Sequence, residues 1–280
     1  MARRLLWRYG VIGERAGDAA AGPSVPAVPR DAATVMLLRP AQPGGVEVFM
    51  LRRVRAMAFA PGAHVFPGGS VDAGDADPAV GWTGPPAAEF GRWLGTSADD
   101  ARALVCAAVR ETFEESGVLL AAHPGGAPVV PDGDDWDRDR ADLARGAVSL
   151  AGMLRRRGLL LHAGLLTPWA RWITPEAEPR RFDARFFAAA VPPGQRAAST
   201  GAGEADRGVW LRPAAAIESA RAGEMTLLPP TAVTLHEFAS YGGVAQILGQ
   251  RRKIVPIMPG MTVEGGQAWL TLPEDVEFPL

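Results

Sequence analysis

Apolar and polar positions divide the chain into short strand-like runs and a few longer segments of helical period. Residues 32–38 and 46–52 are rich in aliphatic and β-branched side chains, with Pro and Gly at 42–45 between them; the pair predicts a β-hairpin. Residues 86–95 read as a short helix around Phe90, Trp93 and Leu94. The stretch 101–116 contains neither Pro nor Gly. Ser97 followed by Asp100 resembles a capping-box start for it, and Gly117 stands where a helix C-terminal cap is expected. Strand-like runs follow at 118–121, 159–166, 171–174, 182–191 and 209–211, and helical patterns at 136–157, 213–222 and 230–241. Strands and helices mix without a regular βαβ rhythm. An α/β sandwich around a mixed β-sheet is therefore expected, rather than a doubly wound parallel sheet.

The remaining composition narrows the function. A length of 280 residues suits one core with insertions. The Gly- and Pro-rich stretches 22–29, 40–45, 124–133 and 191–203 read as loops. Residues 1–30 read as a poorly anchored N-terminal arm, and 31–280 as a single domain with insertions at about 76–100 and 122–160. The net charge of −2 and pI of about 6.1 offer no global basic field, so polymeric nucleic acid is a poor partner. The lone cysteine, Cys106, has no intramolecular partner for a disulfide and falls in the apolar run 104–109, which assigns it to the core. The basic start MARRLLWRYG has too short an apolar stretch for a signal peptide or a membrane span, and no later run reaches membrane length. The cytoplasm is the expected location, with no membrane partner.

The helix at 101–116 carries the candidate chemistry. At about 100° per residue, Glu111, Glu114 and Glu115 fall within an arc of about 100°, while Val105, Val109 and Phe113 point the opposite way. One face can pack on a sheet and the other stacks carboxylates. Like charges at this spacing repel by a few tenths of a kcal/mol. A hard divalent cation supplies a reason to gather them, since Mg²⁺ prefers carboxylate oxygens, waters and substrate phosphate. A solvated acidic helix face is the competing reading. Upstream, Gly68-Gly69 lets backbone approach a ligand or metal closely.

Gly69, five residues, Asp75, a spacer and then Arg110-Glu111-Thr112-Phe113-Glu114-Glu115-Ser116-Gly117-Val118 together resemble the Nudix box. Two departures are visible: the acid is Asp75 rather than Glu, and 34 residues separate it from Arg110 instead of about seven. The peroxisomal-type coenzyme A diphosphatase branch carries a long insertion at this place. Segments PGAHVFPGG (61–69), CAAVRETFEESGVLL (106–120), WARWITP (169–175), RRFDARFF (180–187) and LPPT (228–231) are similar to that branch in the same order, over roughly residues 32–240.

The resemblance implies a Nudix α/β/α sandwich with helical insertions and a metal-dependent diphosphatase. Carried onto matching positions, Glu111, Glu114 and Glu115 become ligands of Mg²⁺ or Mn²⁺, helped by backbone in the Gly68-Gly69 turn. Arg110 becomes the arginine that orients the catalytic carboxylates. The water's proton would pass to Glu204, six residues before Trp210 in a Gly-rich loop, or to Glu111. Arg52, Arg53 and Arg55, after a predicted strand, and His64 are candidate substrate contacts; solvated arginines at a strand end and a structural histidine are the alternatives. Trp169, Trp172 and Phe182 suit a substrate channel or, more simply, core packing. The insertions are expected to cap the site. Coenzyme A or acyl-coenzyme A is the first substrate reading, and NADH, ADP-ribose or another nucleoside diphosphate derivative the second. A non-catalytic ligand sensor is a third. Isomerase chemistry on the same fold lacks a suitably placed thiol, since Cys106 lies on the apolar face. A homodimer is compatible with the sequence, and the C-terminal Glu277-Phe278-Pro279-Leu280 does not form a peroxisomal address.

Overall fold

The hairpin forms as expected from strands β2 (Arg30–Pro40) and β3 (Val46–Arg53), paired antiparallel through Leu38 and Val48. These elements come from a computed structural model that describes residues 4–7, 25–54, 62–198, 205–264 and 267–280. Only the C-terminal part of β2 pairs with β3. Its N-terminal part accepts β5 (Gly68–Ser70), through Ala32 with Ser70 and Thr34 with Gly68, and β4 (His64–Val65) pairs with β3. On the other side of β2 lies β10 (Phe182–Ala190), parallel to it over its whole length. Then come β9 (Thr167–Ile173), antiparallel to β10, and β12 (Pro256–Ile257). At the opposite edge β11 (Ala205–Leu211) pairs antiparallel with β3. The result is a mixed eight-stranded sheet.

Side chains alternate across its strands. Ala33, Val35, Leu37, Phe49 and Leu51 join one core, and Met36, Leu38, Val48 and Met50 join the other. The first core is covered by helices α1 (Ala87–Leu94) and α2 (Ala98–Ser116), with α3 (Asp134–Ala144) and α4 (Leu150–Arg157) beyond them. Helices α5 (Pro213–Arg221), α6 (Pro229–Ala239) and α7 (Val244–Leu248) cover the second. The pattern predicts an α/β sandwich around a mixed sheet and the family resemblance its α/β/α form, and this is the architecture found.

Helix α2 has the expected ends. The Ser97 hydroxyl oxygen accepts from the Asp100 N–H at 3.0 Å, and Gly117, at φ +73°, donates its N–H to the Phe113 carbonyl. Its sheet-facing side includes Ala101, Val105, Ala108 and Val109, all buried. Small residues bring the helix axis close to the sheet, and each fully buried Val or Phe contributes roughly 1.5–3 kcal/mol.

Three local expectations change. The run 118–121 is buried, but its strand is confined to Ala121–Ala122. The Gln195 side chain accepts from the Leu119 N–H at 2.8 Å and donates to the Leu119 carbonyl at 2.9 Å, replacing a strand partner there. The helical pattern 136–157 becomes two helices, because Gly146 adopts φ +68° and Ser149 caps a new start at Gly152 N–H. In 159–166 the strand β8 (Leu160–His162), paired with β6 (Trp82–Thr83) and β7 (Ala121–Ala122), gives way to a 3₁₀ turn at Ala163–Leu165. At the N-terminus Arg4–Trp7 (β1) pairs antiparallel with Gln267–Thr271 (β14), which also pairs with Gly260–Glu264 (β13). This part of the expected loose arm is tied to the C-terminal region by backbone bonds.

Candidate active site

The carboxylate face of α2 meets strand β5, and the contact is made possible by what β5 lacks. A Cβ on Gly69 would lie 2.6 Å from the Glu111 Cδ, and one on Gly68 would lie 2.7 Å from the Thr34 Cα. A side chain at Gly68 would push the strand off β2, and one at Gly69 would displace the Glu111 carboxylate. The Gly68 N–H donates to Glu115 Oε2 at 2.8 Å, so backbone and carboxylate touch directly.

Arg110 organises the rest. Its Nε and Nη2 donate to Asp75 Oδ1 and Oδ2, each at 2.9 Å, in a two-pronged pair. Nη2 also donates to the Ser70 carbonyl at 2.9 Å, and Nη1 to Glu111 Oε1 at 2.8 Å and Glu114 Oε1 at 3.4 Å. Asp75 is 2 % exposed and sits in a short 3₁₀ turn (Ala73–Ala76), where its Oδ2 accepts the Asp72 N–H as well. The expected motif acid is thus the partner of Arg110 across 34 intervening residues, which loop out without disturbing the pair. Sequence reasoning noted Asp75 only as a motif position; its role as anchor needed the fold.

Electrostatics here are unbalanced. Asp75, Glu111 and Glu114 share one guanidinium. Burial pushes the Glu111 carboxyl up to about 7, against the pull of Arg110, and also raises Glu114. Burial acts to lower the Arg110 pKa, but its bonds to Asp75 and the charges of Glu111, Asp75 and Glu114 outweigh it, so its proton is held more firmly than usual. Among the described residues, no three His, Cys, Asp or Glu side chains converge as placed around one metal position. Glu111 and Glu114 turn toward Arg110, and Glu115 toward the Gly68 N–H. The donor set still suits a hard divalent cation: oxygen donors on one helix face, an excess of negative charge and a glycine strand opposite.

The family model described as the NUDT19 Nudix domain matches residues 83–238, more than half of the chain. The chain belongs to the Nudix hydrolase family, in its NUDT19 branch. It is 30% identical over 84% of its length to the Homo sapiens protein named acyl-coenzyme A diphosphatase NUDT19, covering 69% of that protein. The Gallus gallus protein of the same name is 28% identical over 72% of this chain. This chain spans 65% of that relative's length. A Nudix hydrolase structure from Alicyclobacillus acidocaldarius superposes with a TM-score of 0.68 at 29% identity, covering 81% of this chain and 98% of that one.

The other residues singled out in the Nudix chain separate. Strand alternation puts Arg52 on the Val48–Met50 face and Arg53 on the Phe49–Leu51 face, which is the face of α2. Arg52 and His64, paired across β3 and β4, line a cavity of about 350 Å³ with Val209, Leu211, Ser219, Glu224 and Met225. They do not meet the α2 carboxylates through one face of the sheet. The buried Nε of Arg53 has no hydrogen-bond partner among the described residues. Arg55 and Glu204 lie outside the described residues. Trp169 and Trp172 are core residues, 1 % and 4 % exposed, and Trp169 stacks edge-on against Phe238 at 4.8 Å. Phe182 is exposed at the start of β10. Cys106 is buried, and burial pushes its thiol up to about 12. No helix among the described residues is long and apolar enough to cross a membrane.

Proposed function

We propose that this Nudix protein hydrolyses the diphosphate bond of coenzyme A or acyl-coenzyme A, releasing 3′,5′-ADP and the corresponding 4′-phosphopantetheine. The observation that carries the reading is the 30% identity, over most of the chain, to a protein named acyl-coenzyme A diphosphatase. The Nudix-box residues gathered at β5 and α2 support it. Water adds to one phosphorus, the P–O bond to the bridging oxygen breaks, and the two phosphate groups leave as separate products.

Glu111, Glu114 and Glu115 are the residues that would hold the metal, turning away from Arg110 and the Gly68 N–H to do so. Nudix hydrolases in general need divalent metal ions, and here Mg²⁺ or Mn²⁺ would neutralise diphosphate charge and lower the pKa of the attacking water. Arg110 keeps the glutamate side chains from splaying, and its anchoring to Asp75 removes it from direct substrate contact. Two groups compete for the water's proton: Glu111, beside Gly69, and Glu204, which precedes β11 in the sequence. Arg53, on the α2 face, is the candidate phosphate contact. Arg52 and His64 line a cavity large enough for one part of the substrate. A cytoplasmic location suits the free thiol of Cys106.

A substrate panel tests the reading. It contains coenzyme A, acetyl-coenzyme A, NADH, ADP-ribose and diadenosine polyphosphates, with Mg²⁺ or Mn²⁺ and products identified by mass. Metal-dependent release of 3′,5′-ADP from coenzyme A, lost in Glu115→Gln, is expected. Cleavage of NADH or ADP-ribose alone would replace the substrate assignment, and tight binding without turnover of any compound would make the chain a ligand sensor. Glu204→Gln tests the base: a fall in kcat of about 10²–10⁴-fold with Mn²⁺ binding unchanged assigns the proton to Glu204, and wild-type kcat assigns it to Glu111.

A further inference from the structure

The last turn of α2 is electrostatically awkward. Its free carbonyls form the negative end of the helix, where cations are favoured and carboxylates are not. Yet Glu114 and Glu115 sit there, and the turn contains no basic residue of its own. The missing cation comes from elsewhere. Arg140, on α3 in the segment 122–160, donates its Nε to the Glu114 carbonyl at 2.8 Å. Its Nη2 donates to the Ala198 carbonyl at 3.1 Å. The Ala198 N–H in turn donates to the Ser116 carbonyl at 2.8 Å. A Cβ on Gly117 would lie 3.2 Å from Arg140 Nη1, so the guanidinium lies directly over the helix cap.

Arg140 is 9 % exposed, and burial lowers its pKa against the charges of Asp137 and Glu115, which act to raise it. A buried cation held mainly by backbone carbonyls needs a rigid support. Trp136 of the same helix packs edge-on against Phe113 of α2, at 6.1 Å. The Arg157 guanidinium covers Trp136 at 4.2 Å, and buried Asp139 is paired with both Arg156 and Arg157. Helix α3 is thereby fixed from α2 on one side and α4 on the other.

We propose that Arg140 is a positioning residue for the Glu114–Glu115 pair: it supplies from another helix the positive charge that the last turn of α2 lacks and pins that turn to the backbone at Ala198. The role of the 122–160 segment at the site is then support from beneath the carboxylates. This rests on the reading that these glutamates hold the metal.

The test uses the full chain and the variants Arg140→Met, Arg140→Lys and, as a control on the exposed side of α3, Arg138→Met. Mn²⁺ binding is followed by electron paramagnetic resonance without substrate, and backbone amide exchange is followed over 111–117. In Arg140→Met, Mn²⁺ affinity is expected to fall about 10–100-fold, the range typical for a partner that orients ligands. Exchange at 114–117 is expected to speed up with or without metal. Arg140→Lys keeps the charge but not the planar fork, so it should fall between Arg140→Met and the wild type. Arg138→Met should match the wild type. Wild-type affinity and wild-type exchange in Arg140→Met would overturn the proposal, as would equal weakening by Arg138→Met. If Arg140→Met does not fold, Arg140→Lys decides: it must show both weaker Mn²⁺ binding and faster exchange. If the wild type binds no Mn²⁺, the metal-ligand reading fails, while the exchange measurement still judges whether Arg140 holds the turn.

Discussion

On one side of the central sheet, α2 lays alanines and valines against the strands and turns three glutamates away from them. On the other side, Trp169, Trp172, Phe186 and Phe238 fill the space beneath α5, α6 and α7. Charge is placed differently in the two layers. In the aromatic layer Glu237 accepts from Trp169 Nε1 at 2.7 Å and pairs with Arg252, whose guanidinium stacks on the same indole at 4.3 Å. One carboxylate meets one arginine at the rim of an apolar core. In the α2 layer three carboxylates lean on Arg110, and a second arginine, Arg140, is spent on backbone carbonyls. The aromatic layer is held by burial and would survive loss of its ion pair. The α2 layer concentrates like charge for chemistry, and ties from other segments must offset the repulsion.

Four experiments probe the difference between the layers, the largest expected effect first. Arg110→Leu should be the most damaging, because it strands buried Asp75 and leaves Glu111 and Glu114 uncompensated. Removing one partner of a buried pair costs about 3–5 kcal/mol, and hydrolysis should disappear as well. Urea denaturation reads the first effect; a midpoint close to wild type would mean that the carboxylates relax without the arginine.

Trp169→Ala should destabilise by a similar amount, about 3–5 kcal/mol, through the cavity it leaves in the aromatic layer. At a temperature where the variant stays folded, kcat should be unchanged. A matching fall in kcat would show that the two layers are coupled.

Solution pH should act on the α2 layer through Glu111. Its folded-state carboxyl is raised from 4.5 to about 7 by burial, so between these values the folded chain keeps a proton that the unfolded chain has lost. Stability of the metal-free protein therefore falls as pH rises through that window and levels off above it, by an amount on the order of 3 kcal/mol at most. Thermal melting at pH 5 and pH 8 measures this. Saturating Mn²⁺ should abolish the loss, since the metal replaces the proton as the compensating charge.

Ser97→Ala should have the smallest effect. It removes the cap at the far end of α2, costing about 1 kcal/mol, while the carboxylate turn and kcat stay intact. A large loss of activity would mean that the helix moves as a rigid lever.

Much of this protein can be read from local pattern. The hairpin at 32–52, helix α2 with both its ends, and the shared face of Glu111, Glu114 and Glu115 follow from alternation, capping chemistry and the helical period. Two of the segments that differ from expectation satisfy their backbone with a partner far along the chain, while 136–157 and 159–166 change at a local Gly146 turn and a 3₁₀ turn. Leu119 bonds to the side chain of Gln195 instead of a neighbouring strand. The first residues bond to β14, more than 250 positions away, and no local signal encodes that pairing.

At the site the division is similar. The sequence by itself determined the Nudix residues, the face on which the glutamates stand and the absence of side chains at Gly68 and Gly69, because periodicity and glycine are properties of short stretches. Folding alone brings Asp75 onto Arg110 across the insertion, sets neighbouring Arg52 and Arg53 on opposite faces of the sheet and carries Arg140 to the end of α2. Its acceptors are the carbonyls of Glu114 and Ala198, a group that every residue carries. Such a contact leaves no mark in the acceptor's identity, so it is visible only once the chain has folded.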